Sequence, residues 1–88
     1  MENLKNRLKE GFVITLTNES FQESIGQDDV RFAEIRQRQN HSWANGFIIE
    51  FNGKTIHHSK TFNSFEKRLN KLVKEWNLEE VESELLEL

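Results

Sequence analysis

The chain of 88 residues contains no cysteine, which excludes disulfides, thiolate zinc sites and a cysteine nucleophile. Proline is missing too, and no repeat, low-complexity stretch or linker interrupts the chain, so one domain is expected over residues 1–88. No long apolar run follows Met1-Glu2-Asn3-Leu4-Lys5, so neither a signal peptide nor a membrane span is predicted and a cytoplasmic protein is the expectation. There is no phosphate-binding loop, no nucleophile–base pair and no ligand set at metal-binding spacing. No catalytic, cofactor or metal residue is assigned on these grounds, and the expectation is a protein that is not an enzyme.

Neither sign of charge is in large excess, the net value being −3. Its distribution is uneven. Five of the fifteen acids (Glu79, Glu80, Glu82, Glu84, Glu87) fall in residues 77–88, which carry no base; the other ten face all twelve bases over residues 1–76. What is plentiful is aromatic bulk. Seven Phe and two Trp allow a small chain to build a core without covalent staples, since each buries more area than an aliphatic residue.

Residues 2–10 predict a short helix, with Leu4 and Leu8 one turn apart and Gly11 placed to end it. Phe12 to Thr17 is β-branched and apolar and predicts a strand. Asn18 to Asp29 is polar and predicts a loop or short strand. Val30 to Gln39 predicts a further strand, with either Phe32 or the Ala33/Ile35 pair facing inward. Asn40 to Gly46 is a turn-rich connection holding Trp43.

The clearest local pattern is a hairpin. Phe47-Ile48-Ile49-Glu50-Phe51 and Lys54-Thr55-Ile56-His57-His58 flank Asn52-Gly53, a dipeptide suited to a type I′ turn. A simple two-residue loop sets Phe51 opposite Lys54, Ile49 opposite Ile56 and Phe47 opposite His58, placing Phe47, Ile49, Phe51 and Ile56 on the core face. Because adjacent strand residues face opposite ways, His57 and His58 cannot chelate one ion together. His41 lies in a separate loop, and Asp28-Asp29 reads as a turn pair.

Residues 64–76 predict a helix capped at Asn63 with Glu66 three residues on, its stripe formed by Phe65, Leu69, Leu72, Val73 and Trp76. The same signature recurs at Asn77 and Glu80. It predicts a break and a second helix over 78–87 with a stripe of Leu78, Val81, Leu85 and Leu88. The expected fold is α+β: a small antiparallel sheet of 3–5 strands, a strand-rich body over 12–61, a short N-terminal helix and two C-terminal helices packed on one face.

Two surfaces are candidates for function. Leu78, Val81, Leu85 and Leu88 form an apolar stripe that either docks inside the domain or meets a partner, a second copy included. Lys67, Arg68, Lys71 and Lys74 on the long helix, with Lys60, Arg36 and Arg38, form a candidate phosphate-contacting stripe. An acidic tail folded over that basic helix would mask it. Three antiparallel strands closed by a helix, Val30 to Trp76, resemble the arm-type DNA-binding domains of tyrosine recombinases. With the first helix counted, the order helix–strand–strand–strand–helix is similar to a double-stranded-RNA-binding domain. Both likenesses are of topology only: the second family's lysine pair at the start of its last helix is replaced here by Asn63-Ser64-Phe65-Glu66, and no functional residue carries over. The leading expectation is a small interaction or regulatory protein that contacts a protein partner, such as an accessory or inhibitory factor of a mobile element. Nucleic-acid binding through the basic residues is the alternative.

Overall fold

A computed structural model of the chain describes residues 2–19, 30–38 and 45–85. Phe21, Ile25, Asp28, Asp29, His41, Trp43 and Leu88 lie outside the described residues. The elements in order are α1 (Leu4–Glu10), β1 (Phe12–Thr17), β2 (Phe32–Arg38), β3 (Gly46–Phe51), β4 (Lys54–Ser59), α2 (Phe62–Trp76) and β5 (Glu79–Leu85). The five strands form one antiparallel sheet of order β4-β3-β2-β1-β5. The α+β class and the short first helix are as expected. The second C-terminal helix is not: residues 79–85 form a strand on the edge of β1.

That correction has a physical cause. A helix of about ten residues is marginal unless it docks, whereas β1 presents a row of unpaired N–H and C=O groups that a strand satisfies. The length of α2 brings the chain to that edge. Fifteen residues span about 22 Å, close to the four strand spacings of about 19 Å that separate β4 from β5. The break at Asn77 therefore falls where the chain has crossed the sheet. Asn77 adopts a left-handed φ of 55° and its N–H, like that of Leu78, bonds to the Val73 carbonyl.

One apolar cluster joins both helices to one sheet face. It includes Leu4 and Leu8 of α1, Ile14 and Leu16 of β1, Ala33 and Ile35 of β2, Phe47 and Ile49 of β3, and Phe65, Leu69 and Leu72 of α2. In β2 the open parity resolves to Ala33 and Ile35 inward; Phe32 is exposed on the other face. Each large buried side chain contributes roughly 1.5–3 kcal/mol. Phe47 meets Phe62 edge to face and Phe65 at a tilt, with ring centroids 5.5 and 5.3 Å apart.

Two local expectations shift. The helix starts one turn-fraction earlier than predicted, at Phe62, because Thr61 rather than Asn63 is the cap: its backbone is extended and its Oγ accepts from the Ser64 N–H at 3.3 Å. Starting there turns Phe62 onto Phe47. The hairpin has the predicted Asn52-Gly53 turn, with positive φ at both residues, but a bulge after Thr55 changes the register beyond it. Ile49 pairs with His57, Ile48 with His58 and Phe47 with Ser59. Ile56 is the extra residue, 37% exposed instead of in the core. His57 takes its place on the helix-bearing face, and His58 faces the other way, where its Nε2–H donates to the Asn45 carbonyl at 3.2 Å.

Candidate interaction edge

β5 is one of the two edge strands, and all seven of its residues are exposed. Its entry is fixed from inside: Leu78, 6% exposed, belongs to the core cluster. The strand then pairs with β1, Glu79 opposite Thr17 and Glu80 opposite Leu16, then, after a register shift, Glu82 opposite Thr15 through Leu85 opposite Phe12. Val81 is the additional residue of that shift. Leu16, Ile14 and Phe12 point toward the helices, so Glu80, Ser83 and Leu85 share the helix-bearing side, while Glu79, Glu82 and Glu84 face the opposite side. The bulge produces this split. With an unbroken period of two, Glu80 would face the same way as Glu82 and Glu84.

The turned-in Glu80 meets α1. Arg7 donates from Nη2 to Glu80 Oε1 at 2.6 Å and from Nη1 to Oε2 at 3.1 Å, and from Nε to the Glu2 carbonyl at 3.1 Å. This two-pronged hydrogen bond holds the Glu80 carboxyl below its ordinary value, with the Arg7 charge adding to it, and raises Arg7 further. Beside it is a cleft of about 620 Å³ between α1, the end of α2 and the start of β5, lined by Leu16, Val73 and Leu78 with Arg7 and Glu80 at its rim.

The four residues of the expected apolar stripe therefore separate. Leu78 is core, Val81 and Leu85 are 54% and 50% exposed on the strand edge, and Leu88 lies outside the described residues. The basic candidates separate too. Arg36 and Arg38 extend from the sheet face opposite the helices, since Ala33 and Ile35 face the core. Arg36 is ion-paired with Glu50 across the strand. Lys67, Lys71 and Lys74 are exposed on α2, on the other side of the sheet, with Arg68 half-buried and Lys60 exposed just before the helix. Nor does β5 mask α2: residues 79–85 are taken up by β1, at the far edge from β4. Among the described residues no group of three or more His, Asp or Glu side chains is placed to hold a metal ion, and no helix is long and apolar enough to cross a membrane.

Sequence reasoning missed β5, and with it the roles of Arg7 and Glu80. A signal is present: Val81, Ser83 and Leu85 alternate with Glu82 and Glu84, as a strand with one polar side does. The glutamates and the Leu/Val spacing of three and four mimic a helix over the same residues. It also missed a clasp between the end of β1 and the residue before β2, where Thr17 Oγ donates to the Arg31 carbonyl at 2.9 Å and the Arg31 N–H donates to Asn18 Oδ1 at 2.7 Å. Comparison with known proteins finds no matching family model, no matching curated protein and no matching solved structure.

Proposed function

We propose that this chain is a non-enzymatic interaction protein that acts through contact with a protein partner, and that the contact is made at β5. The observation that carries this reading is the pair Val81 and Leu85, two large apolar side chains about half exposed on an edge strand of the sheet. A role as an accessory or inhibitory factor fits a chain of this size with no assembled reaction centre among its described residues. The test is affinity capture with and without nuclease, comparing the native chain with the Val81→Ser/Leu85→Ser double variant. The expected result is a protein partner that survives nuclease and is lost in the variant while its thermal midpoint is unchanged. Retention of the same partner by a folded variant overturns the reading. Light scattering on the same pair checks whether the partner is a second copy.

Nucleic-acid binding is supported by a different surface. Lys67, Lys71 and Lys74 follow one another at helical spacing, all exposed, and none is in an ion pair among the described residues. Salt-dependent retention on DNA or RNA that disappears on Lys67→Glu/Lys71→Glu is the outcome this reading requires.

A further inference from the structure

We infer that the partner met at β5 supplies a basic extended segment, which adds to the sheet as a sixth strand; this rests on the proposal that β5 is the working surface. The backbone provides the docking site. β5 uses one edge against β1, and among the described residues no strand pairs with the other. The N–H and C=O groups along that edge are strong hydrogen-bonding groups that an incoming strand satisfies at one spacing and in one register. Val81 and Leu85 flank the edge and give such a segment apolar side chains to cover.

Charge selects the occupant. β5 carries four glutamates and no base within seven residues. Arg7 offsets Glu80, whereas Glu82 and Glu84 form no ion pair among the described residues. A second β5 laid antiparallel against the first sets glutamates beside glutamates, and like charges in neighbouring strands are destabilising. The molecule's own β5 is thus a poor occupant; an acidic strand is repelled, and a neutral strand gains the backbone ladder without the charge pairing. A segment with Lys or Arg at alternate positions places its cations beside Glu82 and Glu84 while its backbone continues the ladder. The far edge, β4, differs: it holds Lys54, His57 and His58 with no acid, so the same segment is selected for one edge of the sheet and against the other.

The test uses the full chain and an eight-residue peptide of alternating Lys and Val. Three controls accompany it: the Glu–Val counterpart, the Lys–Val peptide N-methylated on the amides of one edge, and a Lys–Val peptide whose backbone is interrupted by proline. The expected result is saturable binding of the Lys–Val peptide with amide shifts along residues 79–85. The controls should bind at least tenfold more weakly. Glu82→Lys/Glu84→Lys should weaken the Lys–Val peptide at least tenfold with the thermal midpoint retained. Equal binding of the N-methylated peptide overturns the inference, because attraction without strand pairing then accounts for the affinity. So do shifts confined to β4 or α2, or no binding at all. The N-methylated arm needs no variant of the protein, so it decides even where charge reversal disturbs folding. If the Lys–Val peptide fails but Val81→Ser/Leu85→Ser still abolishes partner capture, the working surface stands and only the basic strand is lost. If both fail, β5 is not the surface.

Discussion

Gly46 shows how closely two strands are required to approach. It has φ of +146°, and a Cβ there would meet the Ser59 carbonyl oxygen at 2.4 Å and His58 Nε2 at 2.8 Å. Backbone on one side leaves little room to yield, so Gly46→Ala should cost about 1–3 kcal/mol, read as a lower denaturant midpoint with an unchanged slope. Asn52 has a double role in the turn. It takes φ of 51°, and its Oδ1 accepts from the Phe32 N–H at 2.9 Å while its own N–H donates to the Phe32 carbonyl at 2.8 Å. The Arg7–Glu80 pair gives a pH signature. The folded Glu80 carboxyl titrates below its unfolded value because Arg7 hydrogen-bonds the charged form. Its contribution is therefore complete above the unfolded carboxylate range and is lost as pH falls through the lowered folded value. With both side chains partly in water, screening limits it to about 0.5–1 kcal/mol. Glu80→Gln should be less stable than the native chain by that amount at pH 7, and the gap should close on titration below about pH 4. A gap that persists in acid means packing, not the ion pair, sets it.

The two capping candidates on α2 make opposite predictions. Thr61→Ala removes the acceptor of the Ser64 N–H and should lower stability by about 1 kcal/mol, whereas Asn63→Ala, an exposed position inside the first turn, should stay within about 0.5 kcal/mol. Along the chain after α2, position matters more than hydrophobicity. Leu78→Ala opens space in the core and should cost about 2–5 kcal/mol; Val81→Thr, on the exposed bulge, should change chemical denaturation by less than about 0.5 kcal/mol. An apolar stripe on a docked helix, as the 78–88 spacing suggests, would instead make the two comparable. Both bulges act alike: one extra residue in β4 expels Ile56 and brings His57 inward, and one in β5 turns Glu80 toward Arg7. Neither is visible as composition. Period-two patterning predicts which residues share a face only until a residue is inserted, and the insertion depends on how strands twist past their neighbours.

Across the molecule, stability should be distributed unevenly. β1, β2 and β3 are inner strands lying beneath the helices, whereas β5 is an edge strand with all seven residues exposed, tied down by its ladder to β1, Leu78 and the Arg7–Glu80 bridge. Hydrogen exchange should therefore show β5 amides opening at lower free energy than those of β1 to β3, with Glu80→Gln lowering protection in β5 before any other strand. Uniform protection across the five strands would contradict this. The two sheet faces also differ: one carries the helices and the core, the other carries Arg36 paired to Glu50, Arg38, and Glu82 and Glu84 from the edge. Among the described residues, Arg36 and Arg38 therefore do not join the lysines of α2 in one continuous basic stripe.

Local chemistry was enough to read α1, β1, β2, the Asn52-Gly53 turn, the apolar stripe of α2 and the break at Asn77, because each rests on neighbours within one turn or one strand: Leu4 and Leu8 four apart, Asn-Gly at positive φ, Phe65 to Trp76 on one helical face. The fate of residues 79–85 could not be read that way. Their glutamates and spaced Leu and Val suit a helix in isolation, and the competing strand is stabilised by the open edge of β1, nearly seventy residues earlier in the chain. Which of Val81 and Leu85 lies on the edge and which carboxylate meets Arg7 follow from that one pairing and its bulge, while the side on which Arg36 and Arg38 lie follows from the pairing of β2 with β1 and β3. Long-range backbone hydrogen bonds, satisfied only once the sheet is assembled, turned an expected helix into the edge where this protein is proposed to act.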